Sequence, residues 1–149
     1  MRPSQRAHPA LDNWRYDTMV GLDTNVLVRY LTRDDPAQAA AAMRVINSLS
    51  SDSTGFISLI VIAELVWVLT ISYGFEKKEI EQVLETLLRS RELVTERAEI
   101  VSQALRAFSA GSADFADCLI ERCAHAAACQ YTVTFDRKAA TVTGMRLLR

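Results

Sequence analysis

The sequence has no surplus of either charge: 17 Lys and Arg face 18 Asp and Glu, for a net charge of −1. That balance counts against capture of nucleic acid by bulk electrostatics, though a bound metal would add positive charge that the formula omits. Cysteine is scarce. The three present, Cys118, Cys123 and Cys129, are an odd number in a chain that is 50% hydrophobic, which suits reduced thiols rather than a disulfide framework. On a helix Cys118, His125 and Cys129 would share a face. The first two would lie about 10 Å apart along it, too far for the tight ligand pairs of a structural zinc site. The N-terminus lacks the apolar segment of a secretory signal. The most apolar stretch, "FISLIVIAELVWVLTI" from Phe56 to Ile71, falls short of the roughly 20 residues a membrane span needs and carries Glu64 in its middle. Repeats and low-complexity tracts are missing too. These absences leave one globular domain, expected in the cytoplasm without a membrane partner.

The patterned part begins at Met19. Residues Met1 to Thr18 hold two of the three prolines and three arginines without periodicity, and read as a flexible extension (1–18) before the domain (19–149). Met19 is a candidate natural start. From there strand and helix alternate. "MVGL" reads as a short buried strand, and Val26 to Thr32 begins a helix. After "RDDP", Asp35 is a good N-cap with Pro36 at the first helical position. "FISL" reads as a second strand, followed by a helix that Ser58 caps and Gly74 ends. In "KKEIEQVLETLLRS" the apolar residues Ile80, Val83, Leu84, Leu87 and Leu88 fall at helical spacing. "ELV" is a candidate third strand, Ala98–Ala110 and Ala113–Ala128 are helical, "QYTVTF" is a strand, and "MRLL" a last one. Strands separated by helices predict an α/β fold: a mostly parallel sheet of four to five strands with helices on both faces.

Acidic residues gather where such a sheet collects its ligands, beyond the carboxyl ends of the strands. Asp23 directly follows the first strand. Glu64 lies about two turns into the helix after the second. Asp117, with Asp114 one turn before it, opens the helix that precedes "QYTVTF", and Asp136 follows that strand. Asp23, Asp114 and Asp136 also suit helix capping. Glu64 sits among Ile62, Ala63, Leu65, Val66, Trp67 and Val68, with no lysine or arginine within a turn or two, so it is expected to be buried and to need a partner or a metal. A salt bridge to a distant arginine is the alternative. Asp114 and Asp117 share a helix face, where like charges repel unless a cation stands between them. Carboxylates converging in a cleft raise each other's pKa, and a divalent cation relieves that penalty. All-oxygen ligands favour magnesium, with manganese also suited, and such centres perform phosphoryl-transfer chemistry.

"GLDTNVLVRYL", the buried "AEL", "DFADCLI" and "TFDRKA", in that order from Met19 onward, together resemble the PIN domain, more narrowly the VapC-type toxins of prokaryotic toxin–antitoxin pairs. The resemblance implies a three-layer α/β/α sandwich and a magnesium-dependent endoribonuclease. Its catalytic and metal-binding acids would be Asp23, Glu64, Asp117 and Asp136. Asp114 would assist or substitute for Asp117, Asn25 would orient the first carboxylate, and Thr134 would lie close by. Metal-activated water would attack an RNA phosphodiester in line, leaving a 5′-phosphate and a 3′-hydroxyl. Arg29, Arg33, Arg137 and Lys138 are candidate RNA contacts, or simply solvated surface cations. The resemblance further implies a homodimer silenced by a small antitoxin, with the Lys77–Ser90 helix a candidate part of that surface. Rival readings are a haloacid-dehalogenase-like phosphatase, which would want an acid where Asn25 stands, a receiver-like domain, which would want an acidic pair and a late lysine, and a catalytically silent PIN module that binds RNA or protein.

Overall fold

Several helices carry their own start or stop signals, and these set the frame around the acids. The computed structural model describes residues 18–149; the extension read over residues 1–18 lies, except for Thr18, outside the described residues. The order is β1 (Val20–Gly21), α1 (Thr24–Thr32), α2 (Pro36–Ser48), β2 (Gly55–Ile57), α3 (Leu59–Tyr73), α4 (Lys77–Arg89), β3 (Leu93–Thr95), α5 (Ala98–Ala110), α6 (Phe115–Ala126), β4 (Thr132–Thr134) and β5 (Met145–Leu147), with a 3-10 turn at Ala139–Thr141 before the last strand. Asp35 caps α2, its side chain accepting from the Gln38 N–H at 3.0 Å with Pro36 in the first turn. The Ser58 hydroxyl accepts from the Val61 N–H to start α3. Gly74, at φ +67, ends it, and the Phe75 N–H returns to the Leu69 carbonyl at 2.9 Å.

All five strands are parallel, as strand–helix alternation requires. They form two ladders: β1-β2-β3, with Gly21 opposite Phe56 and Ile57 opposite Thr95, and β4-β5, with Thr134 opposite Leu147. The chain is thus α/β with parallel strands, as expected, but hydrogen bonds divide the strands three and two instead of running through one sheet. Helix α3 packs against α1, α4 and α6, and its residues Ile62, Leu65 and Leu69 meet Leu27, Ile57 and Phe115 in the core. Helices α5 and α6 lie together, with the rings of Phe108 and Phe115 edge to face at 5.9 Å. Among the described residues no helix is long and apolar enough to cross a membrane.

Three expectations change. The first strand was expected to be buried, yet Val20 and Gly21 are exposed and burial begins at Leu22, because β1 is an edge of its ladder. The helix expected to reach Ala128 ends at Ala126, and Ala128 turns into the left-handed region at φ 67, leaving Cys129 exposed while Cys118 fills the core. Glu64 was expected to be buried and is exposed. Helix α3 is apolar nearly all round, but only its Ile62, Leu65, Val66 and Leu69 side is covered. Glu64 shares the open side with Ile60, Trp67 and Ile71, the last two 61% and 65% exposed. The buried glutamate is instead Glu121 on α6, only 4% exposed.

Candidate metal and RNA site

Asp23 enters the site because β1 ends two residues before it and α1 begins one residue after it. Its backbone is extended at the N-cap position, and its Oδ1 accepts from the Thr24 N–H at 2.8 Å. The capping role and a ligand role are compatible, since a carboxylate offers about four lone pairs and only one is used here. Glu64, in the second turn of α3, faces the same cleft. That cleft, about 320 Å³, is lined by Asp23, Asn25, Arg29, Glu64 and Tyr73 among others. Asn25 is exposed beside Asp23, but the hydrogen bond found on Asp23 comes from the Thr24 backbone.

A second group of acids forms where α6 starts and β4 ends. Asp114 holds the N-cap position of α6 with extended backbone, yet its side chain makes no capping hydrogen bond; Oδ1 accepts from Lys138 Nζ at 3.1 Å instead. Asp117, one turn on, is half-buried. Burial, then the neighbouring carboxylates of Asp114 and Asp136, push its carboxyl pKa up, and Lys138 opposes them. Asp136 lies in the turn after β4. Its Oδ1 accepts from the Lys138 N–H at 2.8 Å, and its own N–H donates to the Thr134 hydroxyl at 3.0 Å. Thr134 therefore fastens the turn that presents Asp136.

The structure brings the acids together as Asp23 with Glu64 and as Asp117 with Asp114 and Asp136. Among the described residues no three Asp, Glu, His or Cys side chains stand close enough to form a ready cage for an ion. The donor chemistry nonetheless suits a divalent cation. The side chains are all hard oxygen donors, and Asp117 is crowded by like charge that such an ion would neutralise.

The cations divide in the same manner. Arg29 is no lone surface charge: its Nε donates to Gln38 Oε1 at 2.7 Å, and its Nη1 to Asp34 Oδ1 at 2.8 Å and to the Tyr73 hydroxyl at 3.1 Å. Lys138 is paired with Asp114. Arg33, the left-handed C-cap of α1 at φ 55, and Arg137 are exposed. The sequence reading missed Tyr73, which lines this cleft, and Asp34, which bonds to Tyr73 and Arg29. Asp34 has the signal of a short loop between two caps, whereas Tyr73 is 39 residues away and nothing local points to it. It also missed Glu121, buried in the interior where Arg122 donates two hydrogen bonds to it, of 2.6 and 2.8 Å. Gly144, at φ +95, lets the backbone pass over that pair; a Cβ there would strike the Glu121 carboxylate.

Parallel strands, intervening helices and carboxylates clustered near the starts of α1 and α6 define an acid-lined α/β domain of nuclease type. The PIN domain family model matches residues 20–144, and the chain belongs to the PIN domain family, whose members are generally nucleases. No curated protein matches the chain significantly.

Proposed function

We propose that this protein is a magnesium-dependent endoribonuclease and the toxin component of a type II toxin–antitoxin pair of the VapC type. The observation that carries the proposal is the pairing of Asp23 with Glu64 across one open cleft. The crowded Asp117 group supplies the remaining acids. Family membership in PIN supports a nuclease over the dehalogenase-like phosphatase, and the full acid set favours an enzyme over a silent module.

Asp23, Glu64, Asp117 and Asp136 would hold magnesium, or manganese in its place, with Asp114 in reserve beside Lys138. Bound there, the ion would polarise a phosphodiester and lower the pKa of an attacking water. The chain's own part is placement. Backbone N–H groups fix Asp23 and Asp136 through one oxygen each, leaving the other free. Thr134 steadies the Asp136 turn, and Asn25 stands next to Asp23 where it can bond an incoming phosphate or water. Arg137 and Lys138, directly after Asp136, and Arg33, at the end of α1, are exposed cations suited to the RNA backbone.

A homodimer and an antitoxin are the proposed partners. The open apolar side of α3, with Ile60, Trp67 and Ile71, is the kind of surface a monomer seldom leaves bare. A separate cavity of about 550 Å³ has apolar walls from α1, α2 and α4, including Leu31, Ile46, Val83 and Leu87, and suits a helix or extended tail of the antitoxin. The decisive experiment incubates the full chain with defined RNAs and magnesium, then repeats with EDTA and with Asp23→Asn. Expected is cleavage lost in both controls with 5′-phosphate ends; cleavage undiminished in Asp23→Asn refutes the assignment.

A further inference from the structure

The loop between α1 and α2 ends up against the far end of α3, and the contact is polar. Asp34 Oδ2 accepts from the Tyr73 hydroxyl at 2.7 Å, and Asp34 Oδ1 accepts from Arg29 Nη1 at 2.8 Å, with the Thr32 hydroxyl 3.0 Å away. The Tyr73 hydroxyl in turn accepts from the same Nη1, and Gln38 Oε1 accepts from Nε. Three of the five guanidinium N–H groups are thereby committed. The remaining two, on Nη2, donate to no protein group among the described residues. Arg29 and Tyr73 both line the cleft that holds Asp23 and Glu64, and the Arg29 side chain as a whole is 29% exposed.

We propose that Asp34 and Tyr73 are positioning residues that hold Arg29 as a preset arm for an RNA phosphate at the rim of the Asp23–Glu64 cleft. The inference rests on the ribonuclease reading and deepens it by assigning the site's substrate contact. An unrestrained arginine gives up much rotamer freedom when it seizes a phosphate. Here three acceptors on α1–α2 and α3 have already taken that freedom, while Nη2 stays open to take an anionic oxygen. The arm's cation is needed at this place: two carboxylates in the cleft repel RNA, and the chain as a whole carries no positive surplus to offset them. The Tyr73 hydroxyl bond, with help from Thr32 and Arg29, holds the Asp34 pKa down at about 2, so the anchor stays ionised across the working pH range.

Charge alone and positioning make opposite predictions, which is what makes the test sharp. Asp34→Asn removes a negative charge beside the RNA path, so Coulomb attraction by itself tightens RNA binding. Loss of the anchor weakens it. The experiment measures binding of a short labelled single-stranded RNA to the full chain in EDTA over a range of salt, alongside the heat-unfolding midpoint. Expected is a loss of affinity of roughly three- to ten-fold for Asp34→Asn, the range of one hydrogen bond. Tyr73→Phe, which keeps the ring and its packing, should shift affinity the same way by less. For Arg29→Ala the slope of log affinity against log salt should fall by about 0.7, the value of one phosphate contact on a single strand. Under cleavage conditions Asp34→Asn should raise KM and leave kcat near the parent value. Binding by Asp34→Asn as tight as or tighter than the parent's overturns the arm, as does an unchanged salt slope in Arg29→Ala. RNA binding without magnesium-dependent cleavage sinks the catalytic reading and leaves the arm standing, whereas a chain that binds no RNA sinks both.

Discussion

The two acid groups solve the same electrostatic problem differently. At the end of β1, Asp23 and Glu64 face an open cleft, and the nearby cation, Arg29, is held in place by Asp34 and Tyr73 through Nη1. At the end of β4, burial first and the Asp114 and Asp136 charges next push the Asp117 pKa up, and Lys138 offsets part of that. The first group is arranged for access and the second carries the electrostatic cost. A divalent ion would therefore do different work at each: it would gain ligands from the first and relieve the second.

The largest expected effect follows from treating both groups as one catalytic unit. Asp23→Asn and Asp117→Asn should each cut metal-dependent RNA cleavage by about a thousand-fold, since one lost ligand removes several kcal/mol of transition-state stabilisation. Asparagine keeps the N-cap at residue 23, so folding should survive. If one variant is inactive and the other nearly normal, the two groups do not form one site. Single-turnover cleavage of a fixed RNA decides it.

The next effect separates two glutamates. Arg122→Ala leaves the Glu121 carboxylate buried without its partner and should cost about 2–3 kcal/mol in urea unfolding, somewhat less than a fully interior pair because Arg122 is half-exposed. Glu64→Gln should change stability by no more than about 0.5 kcal/mol, as an exposed position does, while abolishing cleavage. A large stability loss in Glu64→Gln would make that residue structural and remove it from the site.

Those two glutamates also show how far sequence alone carried. Helix boundaries were legible wherever a cap is written locally: Asp35 with Pro36, Ser58, and Gly74 all sit where side-chain and backbone chemistry puts them. Strand positions and their parallel direction followed from alternation with helices. Burial of Glu64 was misread because the composition of α3 is apolar on every side, and composition cannot say which side the rest of the chain covers. Glu121 was overlooked because its partner is its immediate neighbour, and adjacent charges on a helix ordinarily point apart. Tyr73 and Asp34 meet through tertiary packing over 39 residues, which no local pattern encodes. The division of the acids into two groups was likewise invisible: strand-end logic places each acid near the same rim but does not set the spacing between ladders.

The smallest expected effect is the most specific to the comparison. Folding raises the Asp117 carboxyl pKa, through burial first and the Asp114 and Asp136 charges next. A folded pKa above the unfolded one means that the native state binds the proton more tightly. The associated stability is fully present below the ordinary aspartate pKa of about 3.9 and is lost as pH climbs through the raised value. At neutral pH, without metal, ionised Asp117 is therefore a burden. Asp117→Asn should raise the metal-free Tm by about 1–2 °C, a modest shift because the group is only partly buried and solvent screens it. That gain should vanish as the pH is lowered toward 4. Magnesium should raise the Tm of the parent and do so much less for the variant, whose crowding is already gone. Glu64→Gln, in the open cleft, should show no metal-free gain. Equal gains in the two variants would mean that the burden is shared across all the acids, and the contrast between the groups would fail.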